Sequence, residues 1–278
     1  MSALTTLTRN PSQTRTISVT SGKGGVGKTS IVCNLATSLA RSGQNVLILD
    51  GDLGMANVDI MFGTRSRYSI KDVLTGQKKV EDILLQVDPR VWLIPGGSGF
   101  TELQNLSDRE KRVLLDQMSH LKQHFDYMLV DTAPGIDNNV MYFNTSAQEI
   151  VVVVTPDPSS FADAYAVIKV LNTYYKEKRF SIIANQVRDE QEGLAVFQRL
   201  SDVSQKFLYV SLDYIGAIPN DVGVRRATKS QQIFVKNLPE TPASGAIKRI
   251  ADKINNAQNS GQLKGGIQFF WEQLMGVA

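Results

Sequence analysis

From Thr16 onward the chain alternates between short, nearly all-apolar runs and longer amphipathic stretches. The apolar runs are rich in β-branched residues and fall at 16–20 (TISVT), 45–50 (NVLILD), 91–95 (VWLIP), 127–131 (YMLVD), 149–155 (EIVVVVT), 181–187 (SIIANQV) and 214–219 (YIGAIP). A strand with one wet face would alternate apolar and polar positions. Continuous apolarity instead predicts strands covered on both faces. Helical periodicity is expected between them, over 28–42, 107–124, 160–178, 189–205, 221–231 and 244–257. Strand–helix alternation of this kind predicts an α/β fold, doubly wound, with a mostly parallel sheet and right-handed crossovers.

The two ends differ from this middle. Residues 1–15 are rich in Ser and Thr, carry Pro11, and read as a flexible N-terminal tail. The α/β domain is expected over 16–257, and 258–278 as a linker (NSGQLKGG) followed by an amphipathic helix. In that helix Ile267, Phe270, Trp271, Leu274 and Met275 recur at the spacing of one helical face. Phe269 lies off the stripe and broadens it. Two readings stand: the stripe meets a membrane interface, or it packs back on its own domain.

Composition narrows the class. The chain has 278 residues, 42% hydrophobic and 21% charged, which is ordinary for a globular fold. A net charge of +3 implies no general nucleic-acid coat. The cluster Arg225, Arg226 and Lys229 reads as a solvated helix face. No apolar run reaches the length of a membrane span, and the first residues lack the apolar stretch of a signal peptide. Cys33 is the single cysteine, so neither an internal disulfide nor a zinc cluster is expected. The expected location is cytoplasmic.

The candidate chemistry begins at residues 22–29, Gly-Lys-Gly-Gly-Val-Gly-Lys-Thr, which fit G-x-x-x-x-G-K-[ST] between a strand and a helix. Gly24, Gly25, Val26 and Gly27 can turn successive backbone N–H groups inward toward phosphate. Lys28 can reach the β/γ oxygens, Thr29 can ligate Mg²⁺, and Ser30 can add a hydrogen bond. Asp50 and Asp52 share one face at the end of the second predicted strand, where open α/β sheets place their ligands. Asp50 could equally be a turn or capping residue. The run YMLVD ends in Asp131, the pattern of a buried strand presenting a carboxylate to Mg²⁺. Gly135 follows in DTAPG and can offer its N–H to a γ-phosphate.

SGKGGVGKTS (21–30) resembles the deviant Walker A motif of the MinD/ParA class of ATPases. DGDLGMANVD (50–59) and DTAPG (131–135) resemble the two switch segments of that class. The resemblance implies a slow, switch-like ATPase with ATP and Mg²⁺ as cofactors and an ATP-dependent homodimer. It assigns Lys23 to the partner subunit's nucleotide, Asp52 to the attacking water, and Asn57 to the neighbourhood of the phosphates. It places adenine between Asn185 and the Pro219–Asp221 segment; a guanine-type N-K-x-D is absent. It also implies reversible attachment to the inner face of the cell membrane through the C-terminal helix.

Within the class, DGDLGMANVDIMFG, TPDPSSFADAYAVIK and IQFFW lean toward the flagellar number regulators. A flagellar SRP-type GTPase and a flagellar transcription regulator are then the expected partners, with no specific nucleic acid. Residues 2–10 do not match the D-Q-A-x-x-L-R segment that such regulators often carry. A partition ATPase that binds DNA, or a division-site regulator, is the alternative.

Overall fold

The computed structural model describes residues 14–52, 57–97, 107–257 and 266–276. Its strands are β1 (Arg15–Thr20), β2 (Val46–Gly51), β3 (Leu85–Asp88), β4 (Val91–Ile94), β5 (Tyr127–Thr132), β6 (Glu149–Val154), β7 (Arg179–Val187) and β8 (Ser211–Pro219). They form one sheet in the order β3-β4-β2-β5-β1-β6-β7-β8. Every neighbouring pair is parallel except β3 with β4. The longer helices are α1 (Lys28–Arg41), α5 (Asp108–Ser119), α6 (Asn138–Ser146), α7 (Pro158–Tyr175), α8 (Glu190–Leu208), α9 (Val222–Lys229), α11 (Pro242–Asn256) and α12 (Ile267–Leu274). Single turns make up the rest: α2 (Val58–Met61), α3 (Ile70–Leu74), α4 (Val80–Ile83) and α10 (Phe234–Asn237).

β2 shows why the apolar runs are continuous. Val46 and Ile48 enter a core shared with α1, α10 and α11, whereas Leu47 and Leu49 enter a second core on the opposite face. A third core joins α7 and α8 to β6 and β7. The doubly wound α/β expectation is therefore met, and all seven anticipated strands are present.

β3 was not anticipated. It is a short, half-buried edge strand whose alternation, Leu-Gln-Val-Asp, spans only four residues and lacks the continuous apolar run that marks the other strands. α6 was missed for the converse reason. Its sequence NNVMYFNTS places Val140, Met141, Phe143, Asn144 and Ser146 all in the interior, so the polar stripe of a surface helix is missing.

The C-terminal helix is docked on its own domain. Phe270 and Trp271 are fully buried, and Leu274 and Met275 nearly so. They share a core with Leu47, Leu49, Phe125 and Phe143, and the Phe270 and Trp271 rings meet edge-on at 5.7 Å. Ile267 packs half-buried at the margin. In this structure the stripe packs on the domain itself, which satisfies the same apolar area that a membrane interface would. Burying a large apolar side chain contributes about 1.5–3 kcal/mol, which favours docking on the domain over exposure to water. Residues 1–13 of the expected tail and 258–265 of the expected linker fall outside the described residues, whereas Thr14 and Arg15, assigned to the tail, are buried and Arg15 opens β1.

Candidate functional site

β1 ends at Thr20 in the middle of the sheet, and the loop 21–27 leads into α1. Gly27 stands at φ +95°, and a Cβ on it would come within 2.5 Å of the Asn185 amide nitrogen, so glycine is required there. No side chain caps α1, and no acidic residue lies in its first turn. Its leading N–H groups and the positive end of its dipole are left for an anion. Lys28 lies under the loop, buried, with its ammonium donating to Ser21 Oγ at 3.0 Å. Burial lowers its pKa, while the charges of Asp131 and Asp52 act in the opposite sense.

Parallel pairing delivers the carboxylates. Asp131 sits opposite Val19 of β1 on one side and Asp50 of β2 on the other. The Thr29 hydroxyl donates to the Asp131 carboxylate. Asp131 Oδ1 is buried and has no hydrogen-bond partner among the described residues, and the same holds for Ser30 Oγ. Burial raises the Asp131 pKa to about 7, with the Thr29 hydrogen bond opposing and the Asp50 charge adding to the rise. Orphaned buried acceptors of this kind call for a partner. A hydroxyl and a carboxylate oxygen beside a phosphate loop match Mg²⁺, which takes few protein ligands and fills its shell with water and phosphate oxygens.

Asp50 has a different task. Its carboxylate accepts backbone N–H groups from Asp52 at 3.2 Å, Asn57 at 3.1 Å and Val58 at 3.2 Å. It therefore ties Asp52 to the start of α2, as the turn or capping alternative from the sequence has it. Burial nonetheless lifts its pKa to about 6. Asp52 is half-buried and close enough to Lys28 to act on its charge, and Asn57 is exposed at the start of α2.

Four expected site residues are engaged elsewhere in this state. The Lys23 ammonium donates to Asp157 Oδ2 at 2.9 Å and to Ser159 Oγ at 2.5 Å. Asp157 caps α7, and these bonds hold its carboxyl well below the usual range. The Gly135 N–H, at φ +102°, donates to Ser21 O at 2.9 Å and is not presented to a phosphate. Asp221 accepts from Gly223 N at 2.7 Å as the cap of α9, leaving only its backbone for a base. Asn185 donates to Val26 O at 2.7 Å. Pro219 lines a cavity of about 550 Å³ together with Pro239, Thr241, Pro242 and Arg249, and neither Asn185 nor Asp221 lines it. The Asp157–Ser159 partner of Lys23 was not anticipated. Asp-Pro before Ser-Ser is legible as a helix start, but its meeting with Lys23 is a tertiary fact.

Comparison with known proteins places this geometry. A family model described as an AAA domain matches residues 14–184. The chain is 39% identical over 259 residues to the antiactivator FleN of Pseudomonas aeruginosa, spanning 93% of this chain and 92% of that protein. It is 36% identical over 270 residues to the flagellum site-determining protein YlxH of Helicobacter pylori, spanning 96% and 91%. Among solved structures, the septum site-determining protein MinD of Pyrococcus horikoshii, complexed with Mg-ADP, superposes with a TM-score of 0.67 at 28% identity, covering 87% of this chain and 96% of that one.

Proposed function

The chain belongs to the MinD-like P-loop ATPases, among the flagellar regulators of that class, and on that premise we propose a Mg²⁺-dependent ATP switch that sets the number or placement of flagella. What carries the nucleotide reading is the pair of buried, unpartnered oxygens, Asp131 Oδ1 and Ser30 Oγ, beside an uncapped helix start and a buried lysine. Gly24, Gly25, Val26 and Gly27 cradle the phosphates, and Lys28 holds the β/γ oxygens. Thr29 and Asp131 hold the metal, which when bound neutralises charge on the phosphates. Asp52 orients the attacking water, Asn57 lies by the phosphates, and Asn185 with the backbone from Pro219 to Asp221 grips adenine.

Two copies pair face to face around ATP, and hydrolysis, slow as suits a switch, releases them. Lys23 then crosses to the partner's nucleotide. For that it leaves Asp157, an exposed ion pair whose partners remain hydrated and which therefore resists little. Membrane contact requires α12 to leave its core, so attachment is conditional on a change that offsets the burial of Phe270, Trp271, Leu274 and Met275. The protein is accordingly cytoplasmic and reversibly peripheral, and its further partners are a flagellar SRP-type GTPase and a flagellar transcription regulator.

Size-exclusion chromatography with light scattering tests the switch. A monomer in Mg-ADP and a dimer in Mg²⁺ with a non-hydrolysable ATP analogue are expected. A monomer in both rejects it. Flagella counted in cells carrying only Lys28→Ala test the cellular role, and a wild-type count there rejects it.

A further inference from the structure

Near its C-terminal end β7 is irregular at one residue. Asn185 pairs with Ile218 and Val187 with Pro219, so two steps of β7 face one step of β8 and Gln186 is left out of the ladder. Gln186 stands at φ +57°, in the left-handed region that a non-glycine residue seldom occupies. Bulges and left-handed residues of this kind re-aim side chains beside functional sites. Here the bulge lets two consecutive side chains address one loop. Asn185 donates to the Val26 carbonyl at 2.7 Å, and the Gln186 Nε2 donates to the Gly25 carbonyl at 3.3 Å.

The consequence follows from peptide planarity. A carbonyl oxygen and the N–H of the next residue lie in one rigid plane and point in opposite directions. Drawing the Gly25 and Val26 oxygens toward β7 turns the N–H groups of Val26 and Gly27 away from it, into the hollow of the loop. Gly25 stands at φ +79°, and a Cβ there would meet no atom within 4 Å, so the loop is open on that side. The Gln186 hydrogen bond is a direct hold on its carbonyl. Asn185 has a second claim on its amide if it turns to a base, whereas Gln186 is exposed on the far side of the bulge and keeps its donor for the loop.

We propose that Gln186 is a positioning residue for the phosphate loop, its side-chain amide fixing the Gly25–Val26 peptide so that the loop amides face the nucleotide phosphates before the nucleotide arrives. This rests on the nucleotide reading above. Amides that bind phosphate alike in ground and transition states affect KM and leave kcat alone.

The test uses the full chain and three substitutions. Gln186→Gly accepts the left-handed backbone but has no donor. Gln186→Glu keeps the shape and presents an acceptor to a carbonyl. Gln186→Lys restores a donor. Isothermal calorimetry with Mg-ADP, and steady-state hydrolysis of Mg-ATP, are expected to show a five- to tenfold rise in Kd and KM for the Gly and Glu variants. Their kcat should stay within twofold, the Gly variant should melt no lower than the parent, and the Lys variant should recover part of the affinity. Parental Kd in Gln186→Gly, or a loss that tracks a fall in melting temperature, overturns the positioning role while the nucleotide reading stands. A parent chain that binds neither Mg-ADP nor Mg-ATP overturns both.

Discussion

On the proposed reading, Lys28 and Asp131 are the two side chains on which nucleotide chemistry depends most directly. Lys28 is buried next to a serine hydroxyl and within the field of two carboxylates. Removing its charge leaves the phosphate without its buried cation, so Lys28→Ala should weaken Mg-ATP binding by about a hundredfold, the loss expected for a charged hydrogen bond of about 3 kcal/mol. Calorimetry reads this directly. Asp131 and Asp50 predict a pH signature. Their folded pKa values, about 7 and about 6, lie above the unfolded carboxylate value of about 3.9. Between those limits the folded chain binds more protons than the unfolded one, so the stability of the nucleotide-free protein falls as pH rises through that window. The melting temperature should drop from about pH 5 to about pH 8, and Asp131→Asn should flatten the drop. Metal binding has the opposite slope, because the carboxylate must be ionised to ligate Mg²⁺.

At the level of elements, α12 is the unusual piece. It is short, follows a Gly-rich stretch and yet delivers two fully buried aromatic rings. Trp271→Ala should cost about 3–5 kcal/mol of stability, as large aromatic truncations in cores do, and a thermal melt would show it. A Trp271 that faced solvent in the resting state would give a change near zero. Deleting the helix is accordingly more than loss of an anchor, since it opens the core that contains Leu47, Leu49 and Phe143. The helix periodicity was readable in the sequence, but an apolar stripe looks the same whether its partner is lipid or protein. Asp50 taught a similar lesson: the sequence left it open between a site acid and a turn or capping residue, and only the fold gives it three backbone N–H groups to hold.

For the whole molecule, the sheet order puts β1 between β5 and β6 and runs it parallel to β5, so the loop after β1 and Asp131 near the end of β5 open on the same edge. The nucleotide, bound there, would lie at a surface able to meet its own copy. Asp52→Ala should then keep ATP binding and slow hydrolysis, so that dimers accumulate with ordinary ATP; monomers at saturating ATP in light scattering would count against the water-orienting role of Asp52.

Local physics was sufficient for much of this. Continuous β-branched runs imply strands buried on both faces, and glycines followed by Lys-Thr at a strand-to-helix junction imply a phosphate loop, because each depends only on neighbours along the chain. The sequence by itself therefore determined the doubly wound class, the loop at 22–29 and the acid at 131. Tertiary structure alone decided that Lys23 rests on Asp157, that Gly135 donates to Ser21, that α12 is core, and that a bulge at Gln186 reaches Gly25. Each of these joins segments far apart in the chain, where spacing and periodicity carry no information about which groups meet.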